Sequence, residues 1–170
     1  MSSVQVPSPA GPRGIGGWLI LPILGFIGTA LWTLWNLLQG LSEASGLVAI
    51  LTATSGPLVD LRVPMILSVI AGVLVIASAC YCLFLVYRRD PAITKFATAH
   101  YLLLVAAGFA DLWLDQVIQR VASTPADPSA IKEAARGVAI AAIWIPYFRF
   151  SKRVKNTFTN TDAPVPVAAE

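Results

Sequence analysis

Of 170 residues, 56% are hydrophobic and only 12% are Asp, Glu, Lys or Arg, with a formal net charge of +3. A soluble domain carries about 25% charged and about 45–50% apolar residues, so this chain cannot clothe a water-facing surface. The same numbers exclude a disordered polymer, which needs low hydrophobicity and high charge. What remains is an integral membrane protein of the all-α class, a bundle of four transmembrane helices.

Residues 1–13 hold Arg13 among Pro7, Ser8, Pro9 and Pro12 and have the composition of a loose tail. The apolar stretch behind them is longer than the roughly 7–15 residues of a signal core, so it is expected to stay as a span. A hydrocarbon core of about 30 Å takes about 20 helical residues. Residues 14–42 contain no charged side chain, and the first span is placed at 17–38. In the connection that follows, Leu47, Val48, Ile50 and Leu51 suit a short helix on the membrane surface, too short to cross and flanked by Glu43 and Asp60. The second span is placed at 64–87, with Pro64 at its first helical position. Pro91 interrupts the chain before a third span at 95–118, which carries Asp111 and Asp115.

The fourth span, 129–150, has a charge-free part of only Gly137–Phe148, about 18 Å of helix. It crosses only by starting near Ser129, behind an Asp127-Pro128 cap, and taking Arg136 into the membrane. Beyond it, Phe150, Val154 and Phe158 recur at every fourth residue, with Lys152, Arg153 and Lys155 on the other faces. That pattern predicts an amphipathic segment over 150–158, continuing the helix and bending along the surface, with Arg149, Lys152, Arg153 and Lys155 at lipid headgroups. Residues 159–170 form a second loose tail.

Lysine and arginine set the orientation. With four spans, Arg13, Arg88, Arg89, Lys95, Arg149, Lys152, Arg153 and Lys155 share one side, against Arg62, Arg120, Lys132 and Arg136 on the other. Both termini are therefore expected in the cytoplasm. Cys80 and Cys82 stand about 200° apart on a helix and cannot bridge each other. With His100 as the one histidine, no metal site and no cofactor are expected.

Gly14-Ile15-Gly16-Gly17-Trp18-Leu19-Ile20-Leu21-Pro22 resembles the opening of the bacterial membrane family called domain of unknown function 2569. Ile143-Trp144-Ile145-Pro146-Tyr147 and Ser151-Lys152-Arg153-Val154-Lys155-Asn156-Thr157-Phe158 resemble its closing part. The resemblance runs from about Gly14 to Phe158 and implies a four-span protein of the bacterial inner membrane. It supplies no activity and no catalytic residues.

The residues themselves suggest a polar centre. Asp111 and Asp115 share a helix face, and Arg136 is predicted to pair with one or both, since charges inside a membrane face the bundle and find partners. His100 lies eleven residues before Asp111 and Tyr147 eleven after Arg136. Antiparallel neighbours would thus form one polar seam about 16 Å long. It would serve either as a proton or ion path or as a clamp between the third and fourth spans. Gly25, Thr29 and Asn36, with Ser68 and Gly72, make small or polar stripes suited to helix packing, or to a substrate pocket. Pro22 and Pro146 are placed to shape the ends of the first and fourth spans, with Trp18 and Trp144 as interfacial anchors.

No His-Glu-x-x-His, Gly-x-Ser-x-Gly or phosphate loop is present, so no enzyme is expected. The basic tail is explained by orientation and does not imply nucleic acid. The leading expectation is a non-catalytic multi-pass protein binding a protein or lipid partner in an envelope or membrane accessory role. The alternative is a small oligomeric transporter or channel using Asp111, Asp115 and Arg136.

Overall fold

The computed structural model describes residues 17–42, 44–123 and 128–158. The expected tails, Gly14–Gly16, Glu43 and Asp127 of the expected cap lie outside the described residues. A 3-10 turn at Gly17–Leu19 leads into α1 (Ile20–Ser42), followed by α2 (Ala44–Thr52), α3 (Leu58–Arg88), α4 (Ile93–Ala122), α5 (Pro128–Phe150) and α6 (Lys152–Thr157). Among the described residues there is no strand.

Three stretches are long and apolar enough to cross a membrane: Gly17–Ser42, Leu58–Arg88 and Ile93–Ala122. The fourth expected span, α5, is not among them, because Lys132, Glu133 and Arg136 occupy its first turns and shorten the apolar part. Even so, α5 runs back along α4, to which it is antiparallel. Alpha-helix α3 has 31 residues, about 46 Å at 1.5 Å per residue, so it outreaches a hydrocarbon core of about 30 Å.

Pro64 does not open α3 but lies buried inside it. The helix is held upstream of the proline by Arg62, whose guanidinium donates to the carbonyls of Ile50 and Ala53 at the end of α2. A cation suits those unpaired helix-end carbonyls. Between α3 and α4 the chain reverses tightly. Arg89 takes a left-handed conformation (φ 54°), its N–H donating to the carbonyls of Leu85 and Val86, and the Asp90 carboxylate accepts from Ala92 N–H at 2.8 Å.

Alpha-helix α3 packs mainly on α4 and α1, and α5 packs on α4. The buried cluster gathers at one end of the bundle, here called the near end. It includes Leu19, Phe26, Ala79, Cys82, Leu85, Ile93, Ala97, Tyr101, Phe148, Val154 and Phe158. Ala79 and Ala97, both fully buried, let α3 and α4 approach closely. Away from this cluster, large apolar side chains point outward, among them Leu31, Trp32, Trp35 and Ile70. Apolar exposure on that scale is a liability in water and the normal condition in lipid.

The predicted continuous helix over 150–158 is broken at Ser151, which is extended (φ −64°, ψ 120°) and caps α6 through its hydroxyl. The predicted apolar stripe splits accordingly. Phe150 is 74% exposed, while Val154 and Phe158 turn into the core. The break lets α6 fold back onto the start of α1 instead of extending α5.

Candidate functional site

The predicted polar residues are not one centre. Arg136 Nη1 pairs with Glu133 Oε1 at 3.2 Å on the same helix, and both side chains are largely exposed. Asp115 accepts from the Gln119 amide at 2.5 Å, also on its own helix. Asp111 accepts from the Ser68 hydroxyl on α3. The predicted pairing of Arg136 with Asp111 or Asp115 is therefore corrected, and the reason is register. Gly108 lies against Ala134, where a Cβ would stand 3.5 Å from the alanine α-carbon. Counting outward from that contact, Arg136 comes level with Ala106 and Asp111 with Ile131, more than one helical turn apart. Because the Arg136–Glu133 pair is exposed, Arg136→Gln is expected to change stability by less than about 0.5 kcal/mol. A clamp between α4 and α5 would cost several times more, and thermal unfolding in detergent distinguishes the two.

A polar seam does exist, one helix over. His100, 1% exposed, places Nδ1 2.8 Å from Ser78 Oγ on α3. The Ser78 hydroxyl donates to the Val75 carbonyl at 2.9 Å. Its single proton is thus committed, so His100 Nδ1–H is the donor to Ser78. Ser68 with Asp111 and Ser78 with His100 form two rungs between α3 and α4 at one antiparallel register. His100 Nε2 is buried without a partner, as is the Tyr147 hydroxyl. His100 and Tyr147, predicted to be level neighbours, share no hydrogen bond. Around His100 stand Phe26, edge-on at 5.1 Å between ring centroids, and Tyr101 at 5.4 Å. Phe148 closes on Phe26 and Tyr101 at 6.1 and 6.3 Å.

The predicted packing stripes are half realised. Gly72 is a close contact of α3 with α1, since a Cβ there would lie 3.4 Å from Leu37. On α1, however, a Cβ at Gly25 would meet nothing within 4 Å, and Asn36 is exposed. The packed face of α1 carries Pro22 and Phe26 instead, one residue around the helix from Gly25. Thr29 lies half-buried at its margin. Cys80 is exposed and Cys82 buried, both as free thiols. Among the described residues no three His, Cys, Asp or Glu side chains converge on a point where a metal could bind.

At the near end the two distant motifs meet. Gly17, with φ +56°, lies directly under the Arg153 guanidinium: a Cβ there would stand 2.6 Å from Nη1. Leu19 and Pro22 of the first motif share the buried core with Val154 and Phe158 of the second. Folding α6 back also leaves Arg149, Lys152 and Lys155 on the surface. At the same end of the bundle Trp18, Tyr87 and Phe150 are 71%, 84% and 74% exposed, and Arg88 covers the Phe84 ring at 5.5 Å. Of the four basic residues predicted at headgroups, Arg153 alone is turned inward. Its Nε is buried without a partner.

The family described as Protein of unknown function (DUF2569) matches this chain over residues 12–159. No curated protein and no solved structure matches it. The matched region contains every described helix, and the motifs at its two ends are the ones joined by Gly17 and Arg153. The chain belongs to the DUF2569 family.

Proposed function

We propose that this protein crosses the bacterial inner membrane four times, with both termini in the cytoplasm. In this reading it is a non-catalytic accessory protein that binds anionic lipid headgroups at its near end. The observation that carries the reading is the folding back of α6, which leaves Arg149, Lys152 and Lys155 exposed at the same end of the bundle as exposed Trp18, Tyr87 and Phe150. Basic side chains hold anionic headgroups, at about 1 kcal/mol each near the surface, and amphipathic aromatic rings settle at the level of the headgroups. The outward apolar faces of α1 and α3 then meet acyl chains or a membrane-protein partner, including a second copy. The fourth crossing is α5, whose charge-free part lies beside α4 and whose exposed Lys132, Glu133 and Arg136 reach toward the opposite headgroups.

The test is lipid retention. Full-length protein extracted from vesicles of equal phosphatidylglycerol and phosphatidylcholine is examined by native mass spectrometry. Wild type is expected to keep phosphatidylglycerol preferentially. The triple variant Arg149→Gln, Lys152→Gln, Lys155→Gln is expected to lose more than about tenfold of that preference. An unchanged preference in the triple variant contradicts the reading.

A further inference from the structure

The far end, opposite the buried cluster, holds a feature that the near-end reading does not use. A groove of about 400 Å³ opens between the first turns of α3 and the last turns of α4. Val59, Val63 and Val117 make its apolar lining, Trp113 a wall, and Asp60 and Arg120 its charged groups. Asp60 lies in the first turn of α3 and Arg120 in the last turn of α4, each at the helix end its charge suits. The dipoles account for either charge alone. The antiparallel packing of α3 and α4 then brings the two charges to the same end, where they line one groove without an ion pair between them.

Among the described residues Arg136 pairs with Glu133, whereas neither Asp60 nor Arg120 takes part in an ion pair. An acid and a base facing the same space without touching leave room for a ligand with the complementary dipole. Because α3 and α4 are both longer than the hydrocarbon core, their terminal turns fall in the headgroup zone. Trp113, 45% exposed, has the amphipathic ring that zone favours. The volume admits a headgroup and glycerol, with the acyl chains continuing along the apolar faces of α3 and α4.

We propose that this groove is a binding site for one glycerophospholipid bearing a primary ammonium, of the phosphatidylethanolamine type. Its phosphate meets Arg120, its ammonium meets Asp60, and its glycerol backbone lies on the valines. Arg120 offers the fixed donor fork that phosphate oxygens accept. Asp60 accepts from the ammonium N–H groups, which a quaternary choline lacks, so the acid is what separates the two zwitterions.

The experiment extracts full-length protein from vesicles of equal phosphatidylethanolamine and phosphatidylcholine and reads retained lipid by native mass spectrometry. Wild type is expected to favour phosphatidylethanolamine by about tenfold, as one charge-assisted hydrogen-bonded contact allows. Asp60→Asn is expected to bring the ratio close to one while total lipid is kept, and Asp60→Glu to restore it. Arg120→Gln is expected to lower retention of both lipids. Arg136→Gln, at the same end but outside the groove, leaves the ratio unchanged. A wild-type ratio near one, a ratio unaltered in Asp60→Asn, or displacement of phosphatidylethanolamine by equimolar phosphatidylglycerol overturns the proposal. The near-end triple variant does not touch this groove, so the two lipid readings fail separately.

Discussion

Phe26→Ala is expected to be among the most damaging single substitutions in the bundle, lowering stability by about 3 kcal/mol, the lower end of the range for deleting a buried phenyl group. Phe26 is fully buried, and its ring touches those of His100, Tyr101 and Phe148. It therefore ties α1 to α4 and α5 where the three helices converge. In lipid the transfer part of the cost shrinks, because acyl chains solvate a phenyl ring as well as protein does. The packing part remains, because a void has no atoms to make dispersion contacts. Loss of the ring also strips one wall from His100, whose Nε2 is already without a partner. Phe26→Leu, which fills most of the space, is expected to cost less than about 1.5 kcal/mol. Thermal unfolding in a mild detergent, with the same preparation of each variant, gives the comparison. Equal midpoints for wild type and Phe26→Ala would show that the buried cluster does not hold the bundle together.

Gly17→Val carries the second large expectation, a loss of about 2–3 kcal/mol. Two costs combine. A β-branched residue at φ +56° is strained by about 1–3 kcal/mol. The new side chain also pushes aside the Arg153 guanidinium, 2.6 Å from where its Cβ would stand, and because that group is the far end of a flexible side chain this cost is the smaller of the two. Adding Arg153→Ala should relieve the collision and leave the backbone strain, so the double variant is expected to recover part of the loss. Full additivity of the two substitutions would mean that Gly17 and Arg153 are not in contact.

The helical class and the long apolar segments were legible because span length and charge exclusion are one-dimensional properties. The short helix over Leu47–Leu51 was legible for the same reason, and it stands as α2. Pairing between helices was not, because it depends on register and rotation. Arg136 was the obvious partner for Asp111 by charge, but the Gly108–Ala134 contact fixes a register that separates them. The spacing of His100 and Asp111 did mark a polar seam. Its other half lay in Ser68 and Ser78, ten residues apart on α3, within one residue of that spacing in an antiparallel neighbour. A hydroxyl is a weaker signal than a guanidinium, so charge drew attention to the wrong helix. The stripe on α1 failed more simply. Gly25 marks a face and Phe26 marks the next, and only packing decides which one turns inward. At α6, Ser151 carried the missed signal, because a serine ahead of a short basic run is a helix cap as readily as a helix interior.

The central claim is a bilayer crossed four times by one bundle, with the near end on a single side. Cysteine accessibility tests it directly, in a background with Cys80 and Cys82 replaced by alanine. A membrane-impermeant maleimide is applied to sealed vesicles of each orientation carrying Arg89→Cys, Lys155→Cys, Ser55→Cys or Ala122→Cys. The account predicts that positions 89 and 155 label only from the cytoplasmic side and positions 55 and 122 only from the other. Labelling of positions 89 and 155 from opposite sides would contradict it.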